Sequence, residues 1–164
     1  MNHSTDMPTT RRVVGAHNQD THTLLPEEIL KLNLERLKQK ISCSIGNAML
    51  LDEWNAAELE YRRFLALKVF YPGISLIPSY KVAKLWQAHI LDTRAYREDC
   101  EKIFGRFIDH YPYFGISGKE DYQGLQIRFA QTIELYERHF GLYPKTSYEL
   151  ANRCQNDVCQ EAIL

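Results

Sequence analysis

Three side chains that could do chemistry fall on the apolar faces of two consecutive helical patterns, in the segment between Pro78 and Gly115. They are His89, Cys100 and His110. Imidazole and thiolate groups are good ligands for zinc, and three such ligands plus a water form the usual catalytic zinc site. A fourth ligand could come from Asp92, from His139 or from water. No cofactor is predicted from this, although zinc is one that the segment could hold.

A structural interpretation of the same three residues stays open. A core histidine is commonly hydrogen-bonded to the backbone or to a tyrosine, and a buried cysteine is commonly inert. His110 at the end of a helix would be stabilised by the helix dipole. No two of the three residues have the i, i+3 or i, i+4 spacing by which one helix usually presents two ligands. That missing spacing favours the structural interpretation.

Nucleophilic catalysis would require Cys100 to form a thiolate–imidazolium pair with His89 or His110. The helical pattern places this cysteine in the middle of a helix, whereas activated cysteines usually lie at helix N-termini within a cleft. The sequence also contains no phosphate-binding glycine loop, nucleophile elbow or paired-carboxylate motif. No catalytic set is complete, and enzymatic activity stays an open question.

A loop rich in aromatic residues and glycine follows, from His110 to Gly118. Its aromatic residues are Tyr111, Tyr113 and Phe114. Aromatic side chains are enriched at protein interfaces, so the loop predicts contact with a protein partner or with a second copy of the chain. Alternatively, two of the rings cover the ends of the core. The predicted function is a non-catalytic interaction domain, with a metal-dependent function centred on His89 and His110 as the alternative.

Two helices are expected to position these residues. The first has an apolar stripe over residues 82–90 with the 3.6-residue period of a helix, and Ser79 as its N-cap. The second, with Asp92 or Thr93 as its N-cap, is expected to continue until Pro112. The rings and aliphatic chains expected to be buried together in the core are Trp86, Tyr96, Ile103, Phe107, Phe129 and Tyr136.

Further helices are predicted over about residues 26–44, from Asp52 to before Pro72, over about 120–140 and, shorter, over 147–158. The pattern contains no convincing strand, so the predicted fold is all-α, a compact bundle of five to six helices. Three cations form a basic edge on one helix, which is typical of a solvated face. They are Arg62, Arg63 and Lys68.

The chain has 164 residues, of which 45% are hydrophobic and 12% aromatic, enough for one domain with a substantial core. We assign this domain to residues 25–164. Residues 1–24 are polar and lack a sustained period, and we predict that they form a disordered N-terminal arm.

Charge and hydropathy exclude several classes of partner. The net charge of −1 argues against a nucleic-acid surface. No apolar run approaches the roughly 20 residues that span a bilayer, so no membrane association is predicted. The first residues lack the apolar stretch of a secretory signal, which predicts a cytoplasmic protein with reduced thiols. Its four cysteines are Cys43, Cys100, Cys154 and Cys159.

Residues 60–115 carry a composite pattern, formed by Arg63, Phe64, Leu65, Pro78, Trp86, His89, Thr93, Tyr96, Cys100, Gly105 and His110. With these matching positions, the segment resembles the uncharacterised glycine-rich domain-containing protein-like family. The chain departs from the family at Gln87, where the family has a histidine. Residues two apart on a helix point about 200° apart, so only His89 lies on the core stripe. The resemblance implies a fold and a site around His89, but no reaction.

Overall fold

The structure is a computed structural model that describes residues 24–42 and 51–147, apart from the side chains of Leu51 and Thr146. These residues form six α-helices, a 3-10 helix and no β-strand. The helices are α1 (Glu27–Leu30), α2 (Glu35–Ser42), α3 (Leu51–Phe70), α4 (Tyr80–Leu91), α5 (Thr93–Phe104) and α6 (Lys119–Phe140), followed by the 3-10 helix Lys145–Ser147. The predicted all-α bundle of five to six helices is confirmed.

Helix α3 is the central element, because it packs against α1, α4 and α6, while α5 packs against α4 and α1. Its fully buried side chains include Trp54, Tyr61 and Leu67. In the part of the chain that the structure describes, no helix is long and apolar enough to cross a membrane. The predicted N-terminal arm, except Leu24, and nearly all of the predicted helix 147–158 lie outside the described residues.

The predicted N-caps of α4 and α5 are confirmed. Ser79 Oγ accepts a hydrogen bond from the backbone N–H of Val82 at 3.4 Å, and Asp92 Oδ1 accepts one from Ala95 at 3.5 Å. Each bond satisfies one of the amides that have no partner within the first turn of a helix. Asp92 therefore separates α4 from α5 and fixes the tight turn between them.

The predicted single helix over residues 26–44 is wrong, because a break at residues 31–34 divides it into α1 and α2. Leu32 and Leu34 are both buried, with one exposed residue between them, and this alternation suits an extended segment. The guanidinium of Arg62, on α3, donates to the carbonyl groups of Ile29 and Leu32. These bonds supply partners to carbonyls at the helix break, where the Ile29 carbonyl also accepts from the N–H of Leu32 at 3.3 Å.

Helix α5 ends at Phe104, seven residues earlier than predicted from Pro112. Gly105 adopts a left-handed conformation with φ of 64°, and its N–H bonds the carbonyl of Glu101 at 3.0 Å. Glycine is the residue that adopts this conformation without steric cost, and it commonly ends helices. The chain therefore leaves the helix before Phe107, which is 46% exposed, and Ile108 is buried instead. The prediction of Phe107 as a buried core residue is wrong.

Candidate functional site

His89 lies at the centre of a buried polar cluster between α3, α4 and α5. Its side chain is almost fully buried, with the residue 4% exposed. Its Nδ1 is 2.8 Å from the hydroxyl of Tyr61, and its Nε2 is 3.2 Å from Oδ2 of Asp99. An ionised carboxylate only accepts hydrogen bonds, so Nε2 carries the proton and Nδ1 accepts from Tyr61. Both nitrogens of His89 thus have protein partners.

Burial favours the neutral forms of His89 and Tyr61. Burial lowers the pKa of His89 below its ordinary value, and this outweighs the opposite effect of the nearby Asp99 and Asp92 carboxylates. Tyr61 is fully buried, and its pKa is raised well above the ordinary value by burial, then by Tyr96, Cys100 and Asp99. Tyr61 therefore stays protonated, and its hydroxyl donates a hydrogen bond to Nδ1 of His89. Because this bond occupies Nδ1, neither group is available as a base.

A second chain of hydrogen bonds joins α4 and α5 to the loop that follows them. The indole N–H of Trp86 donates to the hydroxyl of Tyr96 at 2.9 Å, and that hydroxyl donates to the carbonyl of Ile108 at 2.7 Å. Burial raises the pKa of Tyr96, which keeps the hydroxyl protonated. Trp86 and Tyr96 are both buried, and they fix the position at which the loop begins.

The predicted metal residues are not brought together as a ligand set. The described residues contain no group of three or more His, Cys, Asp or Glu side chains that could hold a metal ion. Cys100 is a buried free thiol, and the His110 ring packs edge-on against Trp86 with 4.7 Å between the ring centroids. His110 is in a loop and not at a helix end, because α5 ends before it. The prediction of a ligand set of His89, Cys100 and His110 is therefore wrong.

The loop from Gly105 to Gly118 is where the described chain exposes most of its aromatic surface. Four of the ten exposed large apolar side chains lie within residues 107–116. They are Phe107, 46% exposed, Tyr111, 70%, Tyr113, 58%, and Ile116, 49%. We call these four side chains the loop surface. Phe114, which was predicted to belong to the same contact site, is half-buried and packs against the core.

Helix α6 anchors the C-terminal part of this loop. The Asp121 carboxylate accepts hydrogen bonds from the backbone N–H groups of Gly115 at 2.7 Å and Ser117 at 3.0 Å. Gly115 has φ of 93°, and a Cβ at this position would be 2.6 Å from Cδ2 of Leu125. Only glycine allows this close approach of the loop to α6. These contacts anchor the part of the loop that follows Tyr113 to α6.

A cavity of about 270 Å³ lies beside the loop surface, and Tyr111 is part of both. Three basic side chains line it, from three different elements: Lys68, His110 and Arg128. The guanidinium of Arg128 is 4.9 Å from the centre of the Phe114 ring. The cavity therefore combines aromatic walls with basic groups.

Lys68 is the most unusual of these basic groups. Its ammonium is 4.9 Å from the centre of the Trp86 ring and 5.3 Å from that of Phe64. Burial, and to a lesser extent the charge of Arg106, lowers the pKa of Lys68 to about 8. Among residues 24–42 and 51–147, no carboxylate forms an ion pair with it.

The predicted solvated basic edge is therefore wrong. Arg62 and Arg63 are mostly buried and paired with Glu58 and Glu60, while Lys68 faces the cavity. The sequence does carry a signal for this arrangement, because Lys68 falls on the apolar band of its helix, four residues after Phe64. A lysine on the buried face of a helix is uncommon unless its charge has a partner or a function.

Comparison with known proteins gives no match: no family model, no curated protein and no solved structure is significantly similar to the chain. The resemblance of residues 60–115 to the glycine-rich domain-containing protein-like family stays a prediction.

Proposed function

We propose that this chain is a non-catalytic helical interaction domain, which contacts a protein partner, or a second copy of itself, through the loop surface. The observation that carries this proposal is the concentration of exposed aromatic side chains on one loop, whose C-terminal part is anchored to α6. Exposed aromatic rings provide a large contact area at a low cost in side-chain entropy. A fixed backbone lowers that cost further.

The polar cluster around His89 supports a non-catalytic role. A general base or nucleophile must reach a substrate, whereas Tyr61 and His89 are buried and hydrogen-bonded to each other. All buried side-chain nitrogen and oxygen atoms of the described residues have hydrogen-bond partners. Such a fully satisfied cluster specifies how α3, α4 and α5 pack. In this proposal the bundle is the scaffold, and the loop surface is the functional part.

The test begins with sedimentation equilibrium, which measures self-association, and with selection of random peptides displayed on phage against the full chain. Any self-association or selected peptide is then measured with the double variant Tyr111→Ala/Tyr113→Ala. We expect a loss of affinity of about 10-fold or more, as for aromatic residues at the centre of an interface.

The matched control is Leu91→Ala/Leu142→Ala, because both leucines are at least as exposed as the two tyrosines but lie outside the loop. This control should bind like the wild type. Two results would contradict the proposal. One is a chain that neither self-associates nor selects any peptide, and the other is binding that both double variants retain equally.

A further inference from the structure

The cavity beside the loop surface has a fixed arrangement of positive groups. The ammonium of Lys68 lies against two aromatic rings, those of Trp86 and Phe64, which also contact each other with 5.4 Å between their centroids. Arg128 is held over Phe114, on another wall of the cavity. Cations that are stacked on rings lose little conformational freedom when a ligand binds, because their positions are already restricted.

The balance of charge in the cavity favours an anion. At pH 7 the lining contains two cations, Lys68 and Arg128, and one carboxylate, that of Asp109. His110 also lines it, and its pKa is lowered by burial and by the charge of Lys68, so it is mostly neutral near pH 7. Arg106 adds positive charge close to Lys68. A carboxylate that entered the cavity would relieve the repulsion among these cations and would compensate for the partial dehydration of Lys68.

We propose that this cavity receives the carboxylate side chain of an acidic segment in the protein partner, while the aromatic residues of the loop surface contact the flanking part of the same segment. This inference rests on the proposed function, since it identifies the chemistry of the partner. The cavity and the loop surface are continuous through Tyr111, which belongs to both. One bound segment can therefore occupy the two sites together.

The size of the cavity suits a side chain that enters it from the surface. Its volume of about 270 Å³ is below the range of roughly 300–1,000 Å³ that is typical of small-molecule sites. Aspartate and glutamate side chains are small enough to enter, and the rest of the segment remains at the mouth. Specificity would then arise from the pairing of the carboxylate with the cations of the cavity. Affinity would arise largely from the aromatic contacts of the loop surface, outside the cavity.

The experiment uses the peptides selected on the full chain. We expect them to share an aspartate or glutamate, and each selected peptide is compared with a counterpart that carries Asn or Gln at that position. The neutral counterpart should bind wild type about 10- to 100-fold more weakly. Lys68→Met keeps an unbranched apolar chain against Trp86 and Phe64. This variant should bind the acidic peptide more weakly than wild type by a similar factor, and its affinity for the neutral counterpart should be nearly unchanged.

The matched control is Lys84→Met. Lys84 is also stacked on an aromatic ring, with its ammonium 4.5 Å from the centre of the Tyr80 ring, but it does not line the cavity. This variant should bind both peptides like the wild type. As a direct readout, nuclear magnetic resonance of the Lys68 Cε should show its pKa rise when the acidic peptide binds. It should show no rise with the neutral counterpart.

Several outcomes overturn the inference. Selected peptides that depend on Tyr111 and Tyr113 but share no acidic position would overturn it and leave the proposed function standing. Equal losses for the acidic and neutral peptides in Lys68→Met would do the same. If inorganic phosphate or free N-acetylglutamate binds the cavity as tightly as the peptide, the site is one for small anions and the inference fails. If no peptide is selected and the chain does not self-associate, both the inference and the proposed function fail.

Discussion

The hydroxyl of Tyr61 and Nδ1 of His89 lie 2.8 Å apart in the core, although 28 residues separate them in the chain. This contact joins α3 to α4, and Asp99 extends it to α5 through the other ring nitrogen. A histidine that sequence patterns mark as a metal ligand or a base is thus a structural element of the core. Its two hydrogen bonds specify how three helices pack.

His89→Ala is expected to lower the free energy of unfolding by about 2–4 kcal/mol. The substitution leaves a cavity and removes the partner of the buried Tyr61 hydroxyl. Urea unfolding followed by circular dichroism measures the loss. Gln87→Ala is the control, because residue 87 lies on the same helix but is exposed. A loss for His89→Ala as small as that for Gln87→Ala would show that the Tyr61–His89 contact contributes little.

Local patterns in the sequence suffice to predict several elements of this fold. The 3.6-residue period locates α3 and α6, and the short polar residues Ser79 and Asp92 mark the starts of α4 and α5. Both signals depend on neighbours within one or two helical turns. They are therefore independent of how the helices pack.

The course of the chain after α5 and the composition of the cavity depend on contacts that are distant in sequence. The apolar period continues past Gly105, so the period alone predicts too long a helix, and the bond of Tyr96 to the carbonyl of Ile108 fixes the chain beyond the helix end. Lys68 and Arg128 are 60 positions apart in the chain, and the packing of the loop against α6 places both on the same cavity. No sequence period indicates that relationship.

Gly115→Ala is expected to lower the free energy of unfolding by roughly 2–5 kcal/mol. The alanine Cβ would overlap Leu125, and the residue would have to keep a positive φ that costs about 1–2 kcal/mol. Gly118→Ala is a matched control, since Gly118 has φ of 99° but no neighbouring atom within 4 Å of the place that a Cβ would occupy. Thermal and urea unfolding should show a clearly smaller loss for Gly118→Ala. Equal losses would mean that the contact with Leu125 is not tight.

The lowered pKa of Lys68 predicts that the free energy of unfolding depends on pH in the alkaline range. Its folded pKa of about 8 lies below the roughly 10.4 of an unfolded lysine, so the unfolded chain holds more protons between these values. Raising the pH through this window therefore favours the folded state. At pH 7, Lys68→Met should be more stable than wild type, because it removes a partly dehydrated charge.

The quantity to measure is the difference in free energy of unfolding between Lys68→Met and wild type, from urea titrations at several pH values. It should fall by on the order of 2 kcal/mol between pH 8 and pH 10. The ionisation of the tyrosines contributes equally to both proteins, so its effect cancels in this difference. A difference that is constant with pH would show that Lys68 has the pKa of a solvated lysine.

Tyr113 and Phe114 are neighbours in the loop that are expected to respond in opposite ways to substitution. Tyr113 is exposed, so Tyr113→Ala should change the free energy of unfolding by less than about 0.5 kcal/mol while it weakens association. Phe114 packs against the core and beneath Arg128, so Phe114→Ala should cost about 1–3 kcal/mol of stability. Urea unfolding and a binding titration on the same two variants measure both effects. If Tyr113→Ala costs as much stability as Phe114→Ala, the Tyr113 ring is part of the core, and the loop surface loses one of its two most exposed rings.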